Sequence, residues 1–325
     1  MTFELADYWV WDLWIADTGT EYHMFYLHAP KSLLDPELRH RNASIGHASS
    51  ADLTHWTDHG PVLGRGASGA FDETATWTGS VVQGDDGVWR MFYTGARFLP
   101  DGRNIESVGM ATSLDLSAWT KVDGPVLVAD PVWYEQLGDS DWPELAWRDP
   151  WVFRDPAGDG WHMLVTARSN TGPSDERGVI GHAVSADLDS WTAMPPLSEP
   201  GAGFMHLEVP QTITTGGQSA LVFSCDAPKL SDAHRASGGR GGVWIVEAPS
   251  VIGPFDPARA RLLASEDVYA GRVVARRDGS MVLLGFVLHD SDGIFRGTIS
   301  DPVPLSWSTS LGGSSAVLPE SSPHK

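Results

Sequence analysis

Three segments of the chain share one pattern: GHASSADLTHW (residues 46–56), GMATSLDLSAW (109–119) and GHAVSADLDSW (181–191). Each contains a short strand of small residues followed by Ser-x-Asp-Leu-x-x-Trp, and the segments start 63 and 72 residues apart. A degenerate fourth copy, GVWIVEAPSVIGPF, starts at Gly242, and FRGTISDPVPLSW from Phe295 is a candidate fifth. A repeat of this length predicts an architecture built from similar units.

A pair of strand-forming runs, joined by a polar turn, accompanies each copy. The turns contain Asp17-Thr18-Gly19, Asp85-Asp86-Gly87, Gly158-Asp159-Gly160, Gly216-Gly217 and Asp278-Gly279, which supply the residues that tight reversals need. Five units of a few antiparallel strands predict an all-β fold, a single-domain five-bladed β-propeller over residues 1–311 with a flexible tail at 312–325. The first strand of each blade is expected to line the central channel.

The repeated Asp-Leu-x-x-Trp is interpreted as structural. Radial repeats bury matching side chains at matching positions, so we expect the Asp to cap a turn and the Leu and Trp to pack between blades.

The composition favours a large β-rich core and a neutral ligand. Fifteen Trp and 11 Phe provide aromatic area to bury, and 35 Gly and 22 Pro indicate many turns. A formal charge of −20 repels phosphate backbones and anionic lipid surfaces. We therefore expect neither nucleic acid nor a membrane as a partner, and the sequence leaves the oligomeric state open.

Cysteine and histidine usage argues against cofactor chemistry. Cys225 is the single cysteine, which excludes internal disulfides and multi-cysteine metal sites, and the 12 His include no HExxH-type pair. The acid-rich loops lack EF-hand spacing. We therefore expect no metal at the site and no cofactor, and the sequence leaves a structural calcium open. The N-terminal MTFELADYWV does not resemble a signal peptide, so the expected location is cytoplasmic.

Three isolated acids stand in apolar, strand-forming runs: Asp12 in WVWDLW (9–14), Asp149 in WRDPWVF (147–153) and Glu208 in MHLEVPQ (205–211). A carboxylate among aromatic residues is costly to desolvate unless it is paired, hydrogen-bonded or used for chemistry. The alternatives of a structural carboxylate at Asp12 and a structural ion pair between Arg148 and Asp149 stay open at this point.

The spacing of these acids points to one axis. Asp12, Ser80, Asp149 and Glu208 open successive blades at intervals of 68, 69 and 59 residues. Acids that face one channel lie close together and raise at least one pKa, and one protonated acid beside one carboxylate is what glycosidic cleavage requires. The apolar neighbours Leu207 and Val209 predict that Glu208 is the protonated one.

At these residues the chain resembles a known clan. VWDLW is similar to the VWDSW of levansucrases and inulosucrases, and TWTGSVV resembles the strand of the wider clan, invertases included, that carries Ser-Gly-Ser or Thr-Gly-Ser. WRDPWVF resembles the clan's Arg-Asp-Pro motif and HLEVPQ its acid-bearing Glu-x-Pro segment. These motifs span roughly residues 9–211, and the architecture covers the whole chain.

The resemblance implies roles for individual residues. Asp12 would be the nucleophile that forms a fructosyl-enzyme intermediate, Glu208 the general acid and base, and Asp149 the transition-state stabiliser. Trp11, Trp77, Ser80 and Arg148 would shape the innermost sugar subsite. The implied activity is retaining cleavage of a β-fructofuranoside, sucrose or a short fructo-oligosaccharide, with the fructosyl group transferred to water or another sugar.

Two other functions remain compatible with the sequence. One is an inverting arabinosidase or xylosidase on a similar propeller, and the other is a propeller that binds glycans without cleaving them. The chain has Val209 where levansucrases usually have an arginine that helps hold sucrose, and this leaves the leaving group open.

Overall fold

The computed structural model describes residues 2–158, 160–289, 293–310 and 313–317, and it describes side chains as far as residue 306. Regular structure in this part of the chain is almost entirely β-strand, arranged as five mainly antiparallel sheets that follow one another along the sequence.

The first two sheets each keep their main strands in chain order. The first consists of β1 (Tyr8–Asp17), β2 (Tyr22–Pro30), β3 (Ser44–Ser50) and β4 (Thr57–Leu63). The second consists of β5 (Ala75–Gln83), β6 (Trp89–Phe98), β7 (Asn104–Ser113) and β8 (Thr120–Lys121), and β9 (Glu144–Leu145) pairs with β7 in parallel.

The other three sheets repeat this arrangement. The third consists of β10 (Trp147–Arg154), β11 (Trp161–Arg168), β12 (Gly178–Ser185) and β13 (Thr192–Met194). The fourth consists of β14 (Glu208–Thr215), β15 (Gln218–Cys225), β16 (Gly242–Ala248) and β17 (Arg261–Ser265). The fifth consists of β18 (Val268–Ala275), β19 (Met281–His289), β20 (Phe295–Ile299), β21 (Val303–Ser310) and β22 (Gly313–Val317), with β20 pairing on β19.

Helical segments in the described residues are short and lie in connections. They are the α-helix α1 (Asp232–Ala236) and the 3-10 turns Lys31–Leu33, Pro36–Arg41, Ser174–Glu176, Ala227–Lys229 and Pro257–Arg259. None of the helices in this part of the chain is long and apolar enough to span a bilayer.

The first strands of the five sheets form a closed ring. β1 contacts β5, β5 contacts β10, β10 contacts β14, β14 contacts β18, and β18 returns to β1. At the closure, Phe3 and Ile299 exchange two backbone hydrogen bonds of 3.0 Å each. The predicted five-bladed β-propeller is therefore confirmed, and its innermost strands surround one axis.

The repeated loop motif is structural, as predicted. In the first copy, Asp52 Oδ1 accepts hydrogen bonds from the backbone amides of Thr54 and His55, both at 2.8 Å. Asp115 and Asp187 make the same two contacts in the second and third blades. The leucines that follow these acids are buried with positive φ: Leu53 (+66°), Leu116 (+65°) and Leu188 (+70°).

The core lies between blades, where aromatic residues of neighbouring sheets meet. Trp14, Phe25 and Tyr93 are buried between the first two blades, and Phe92 and Trp147 between the second and third. Burying a side chain of this size contributes about 1.5–3 kcal/mol. The blade interfaces therefore hold the inner strands, and the residues they carry, in fixed positions.

The C-terminal boundary differs from the sequence-based expectation. β22 falls inside the tail expected at 312–325, and it pairs with β21 in the fifth blade. Residues 318–325 lie outside the described residues.

Candidate active site

A cavity of about 640 Å³ opens at one end of the propeller axis. Its lining includes six of the residues expected from the sequence: Trp11, Asp12, Trp77, Arg148, Asp149 and Glu208. They come from the first strands of four consecutive blades. The structure therefore brings the three expected carboxylates together, as their near-regular spacing predicts.

Each inner strand is bulged where it reaches the cavity. Pairing with the second strand of the blade shifts at Asp12, at Thr78, after Arg148, after Glu208 and after Tyr269. Asp12 (φ +39°) and Asp149 (φ +59°) adopt backbone conformations that non-glycine residues rarely take. Strain of this kind, about 1–3 kcal/mol per residue, persists where surrounding structure enforces it and often marks a functional site.

Asp12 is hydrogen-bonded across the boundary between the first two blades. The Thr78 hydroxyl donates to Asp12 Oδ2. Burial raises the pKa of Asp12 to about 7, and the negative charges of Asp149 and Glu208 add to the rise, whereas the Thr78 hydrogen bond and the charge of Arg272 oppose it. Near neutral pH, Asp12 is therefore poised between its protonated and ionised forms.

Asp149 is the most firmly fixed of the three acids. Its Oδ2 accepts hydrogen bonds from the Thr166 hydroxyl (2.8 Å) and the Val209 amide (3.1 Å), and its own amide donates to Thr94 Oγ1 (2.9 Å). Burial raises the pKa of Asp149, and the neighbouring charge of Arg148 lowers it. These contacts span the second, third and fourth blades, so Asp149 has little freedom to rotate.

Glu208 lies in a charged environment, which contradicts the apolar one predicted from Leu207 and Val209. Arg148 Nη2 donates to Glu208 Oε1 at 2.7 Å, and the Tyr269 hydroxyl donates to Oε2 at 2.5 Å. Burial favours the neutral acid, but the neighbouring His206 and Arg148 and these hydrogen bonds outweigh it and hold the pKa of Glu208 well below its usual range. The prediction of a protonated Glu208 is therefore wrong for this state of the cavity.

Ser80 does not line the cavity, contrary to expectation. It is buried, and its hydroxyl accepts a hydrogen bond from the Val152 amide at 3.1 Å, which joins the second blade to the third. The reason is the bulge between Trp77 and Gly79, which changes the alternation of side chains along β5. Thr78 faces the cavity in its place.

Two further acids contact the Arg148 guanidinium through its Nη1 atom. Its Nη1 lies 3.1 Å from Glu106 Oε2 and 3.3 Å from Glu144 Oε2. Glu106 is fully buried and also accepts a hydrogen bond from the Trp147 amide at 2.9 Å. The guanidinium is therefore fixed between Glu106 and Glu208.

Sequence reasoning missed Thr78, Tyr269 and Glu106. Tyr269 could have been predicted from its position, because it stands 61 residues after Glu208 and this spacing matches that of the earlier site residues. Glu106 lies on β7, the third strand of its blade, so inner-strand spacing does not point to it.

Aromatic side chains form part of the cavity wall. Trp11, Trp77 and Phe98 line it, and the Trp77 indole is fixed by a 2.7 Å hydrogen bond to the carbonyl oxygen of His40. Flat aromatic surfaces beside carboxylates and a guanidinium suit a small polyhydroxylated ring, which has both apolar faces and hydroxyl groups.

One cluster near the cavity has metal-ligand residue types: His206, Cys225 and Asp226 place ligand atoms within 4.8 Å of one another. However, His206 Nδ1 faces Arg148 Nη2 at 3.2 Å, and a guanidinium can only donate. A metal-bound imidazole normally donates its second N–H to an acceptor, which this arrangement does not provide. His206 Nε2 instead lies 3.3 Å from Glu208 Oε2 and 3.4 Å from Asp226 Oδ1. These contacts do not match those of a metal-bound imidazole.

Curated proteins that resemble the chain act on fructosides, according to their names. It is 27% identical over 284 residues to a sucrose-6-phosphate hydrolase of Escherichia coli, covering 85% of this chain and 53% of the relative. It is 29% identical over 253 residues to beta-fructofuranosidase 1 of Zea mays, covering 73% of this chain and 34% of the relative. The chain thus spans about half, or less, of the length of these relatives.

Solved structures support the fold. An inulosucrase from Halalkalicoccus jeotgali bound to kestose superposes with a TM-score of 0.77 at 23% identity, covering 94% of this chain and 86% of that one. The catalytic domain of a Microbacterium saccharophilum beta-fructofuranosidase also gives a TM-score of 0.77, at 17% identity, covering 98% of this chain and 82% of that one.

The model of the glycosyl hydrolases family 32 N-terminal domain matches residues 14–293. The chain therefore belongs to glycosyl hydrolases family 32.

Proposed function

We propose that this protein cleaves β-fructofuranosides with retention of configuration and transfers the fructosyl group to water or to another sugar. The observation that carries the proposal is the meeting of Asp12, Asp149 and Glu208, from three separate blades, in one cavity with a buried arginine between two of them. Two carboxyl groups that flank a glycosidic bond are the usual machinery for its hydrolysis.

In the first step, Asp12 attacks the anomeric carbon of the fructosyl unit, and the bond to the leaving oxygen breaks. Glu208 gives that oxygen its proton, and the fructosyl group becomes an ester of Asp12. In the second step, Glu208 removes a proton from water or a sugar hydroxyl, which attacks the same carbon and releases Asp12. Asp149, held by Thr166 and Val209, accepts hydrogen bonds from the sugar hydroxyls.

The first step requires a proton on Glu208, although the charges in the structure favour one on Asp12. Interacting carboxyl groups titrate as a set, so the proton belongs to the pair rather than to one member. A sugar in the cavity brings hydroxyl donors to Asp12 and competes with Glu208 for Arg148. Both effects move the proton from Asp12 towards Glu208.

The leaving group is defined less closely than the fructosyl unit. Two cations of the cavity lining, Arg41 and Lys229, lie over aromatic rings, 4.1 Å from the centre of Phe98 and 4.7 Å from that of Trp142. In the described part of the chain neither forms an ion pair with a carboxylate. They are available to an anionic substituent, so a phosphorylated sucrose is a second candidate substrate beside sucrose and short fructo-oligosaccharides.

The test is a substrate panel for the purified protein: sucrose, sucrose 6-phosphate, kestose, and aryl α-arabinofuranoside and β-xyloside. Release of fructose or formation of longer fructosides supports the proposal, and the preferred fructoside identifies the leaving group. Release of arabinose or xylose alone would favour the inverting alternative. Binding of a sugar without turnover of any substrate would favour a glycan-binding propeller.

A further inference from the structure

Arg272, on β18 of the fifth blade, is an arginine buried on the propeller axis, with 1% of its surface exposed. Burying a guanidinium is unfavourable unless its donors find partners. Here they find backbone carbonyl oxygens of three other blades. Nε donates to Leu13 (3.3 Å), and Nη1 donates to Pro210 (2.9 Å) and Val209 (3.4 Å). Nη2 donates to Gly79 at 3.5 Å.

Each of these carbonyl groups belongs to a residue that follows a cavity residue in the sequence. Leu13 directly follows Asp12, Gly79 follows Thr78, and Val209 and Pro210 follow Glu208. Arg272 is therefore bonded to the backbone next to a cavity residue in each of three inner strands, where those strands are bulged.

Arg272 contacts the third blade through the aromatic ring of Trp151. The Arg272 guanidinium carbon lies 5.1 Å from the centre of the Trp151 ring, and Trp151 stands two residues after Asp149. Arg272 and Trp151 also line a second cavity of about 190 Å³, whereas neither lines the catalytic cavity. The two side chains thus lie beneath the catalytic cavity.

The charge of Arg272 acts on the acids above it. Burial lowers the pKa of Arg272 to about 10, and the charges of Asp149 and Asp12 oppose that fall, so the guanidinium is ionised at neutral pH. The negative charges of Asp149 and Glu208 favour the protonated form of Asp12, whereas the charge of Arg272 opposes them. Arg272 therefore favours ionisation of Asp12.

We propose that Arg272 is a positioning residue for the catalytic carboxylates: it fixes the bulged turns of the inner strands through their carbonyl groups and places a positive charge beneath Asp12 and Asp149. The inference rests on the proposed function. Lysine cannot replace the residue fully, because an ammonium group keeps the charge but lacks the planar set of five donors that reaches several carbonyl groups at once.

The experiment compares Arg272→Lys and Arg272→Met with the wild type in steady-state kinetics on sucrose, or on the fructoside that the wild type prefers, across pH. Arg277→Met is the control, because Arg277 follows the same strand but lies at the surface, 2.5 Å from Asp17. Far-UV circular dichroism and thermal melting establish which variants are folded.

The methionine variant is expected to lose kcat on the order of 10²-fold, since small misplacement of catalytic groups costs about that much, while KM changes little. Without the charge, the upper pH limit of kcat/KM moves higher by about one unit, because the pKa of Asp12 rises. The lysine variant is expected to lose kcat and keep the upper pH limit of the wild type. The control should match the wild type in both.

A folded methionine variant with the kcat and pH profile of the wild type would overturn the inference, even if its melting temperature fell. If only the lysine variant folds, a kcat equal to that of the wild type overturns it. Absence of fructoside turnover by the wild type would instead contradict the proposed function, so the two failures are distinguishable.

Discussion

Arg148 and Glu208 form an ion pair, with 2.7 Å between Nη2 and Oε1, in the cavity that also holds Asp12. The pair favours an ionised Glu208, while burial gives Asp12 a pKa of about 7. The carboxyl groups therefore carry a shared proton below this pH and lose it above. In the proposed mechanism the leaving oxygen needs that proton, so we expect its loss to set the upper pH limit of the reaction.

The first prediction is the position of this limit. Below pH 7 the proton is present, and above pH 7 its occupancy falls tenfold per unit, so kcat/KM should fall with that slope from about pH 7. Thr78→Val removes a hydrogen bond that stabilises ionised Asp12, which raises the pKa and should move the limit to higher pH. The measurement is the pH profile of kcat/KM. A wild-type profile that is flat to pH 9 would contradict the assignment.

A second prediction separates the roles of two acids. Glu208→Gln removes the proton donor and should slow sucrose cleavage by about 10²–10⁴-fold, with a much smaller loss on fructosides whose leaving groups need no proton. Asp12→Asn should abolish turnover of both kinds of substrate, because no intermediate forms without the nucleophile. Equal losses for Glu208→Gln on both kinds of substrate would exclude the acid role.

Stability provides a third prediction, with a matched pair of variants. Glu106 is buried and serves both Arg148 and the Trp147 amide, so Glu106→Ala should lower the free energy of unfolding by about 3 kcal/mol. Glu144 contacts the same guanidinium, but its side chain is 31% exposed, so Glu144→Ala should lower it by less than about 1 kcal/mol. Urea titration measures both. Equal effects would show that burial does not determine the contribution.

The fourth prediction concerns acid stability. His47 is buried in the first blade, where burial lowers its pKa from 6.5 to about 4. Below pH 6.5 the unfolded chain binds a proton that the folded protein does not, so stability falls as pH falls from 6.5 to 4. The contribution is about 2 kcal/mol at pH 5.

The check is the free energy of unfolding at pH 7 and pH 5. His47→Gln should reduce the difference between the two values by about 2 kcal/mol. His55→Gln replaces an exposed histidine of the same blade that pairs with Asp52 at 2.8 Å, and it should not reduce the difference. Identical behaviour of the two variants would contradict the role of burial at His47.

The propeller could be predicted from the sequence because the residues of the repeat make contacts that the fold requires in successive blades. The Asp and Leu of the loop motif make local contacts that recur in three blades, so the same residues recur at matching positions in the sequence. The three acids could be placed in one cavity for a related reason, since each stands in the first strand of its blade.

Details that depend on strand irregularity could not be predicted in this way. The assignment of Ser80 rested on its spacing from Asp12 and Asp149 and on the resemblance of TWTGSVV, and neither reveals the bulge in β5. The protonation of Glu208 was inferred from its neighbours in sequence, whereas Arg148 and Tyr269 reach it from other blades. Contacts between distant segments decided these points.

The most direct test of the central claim is the configuration of a transfer product. With methanol as the acceptor and sucrose, or the preferred fructoside, as the donor, a fructosyl-Asp12 intermediate should give methyl β-fructofuranoside, because two displacements restore the original configuration. Methyl glycosides do not mutarotate, so proton NMR identifies the anomer without ambiguity. Methyl β-fructofuranoside is the result we predict. The α-anomer would contradict a retaining mechanism at Asp12.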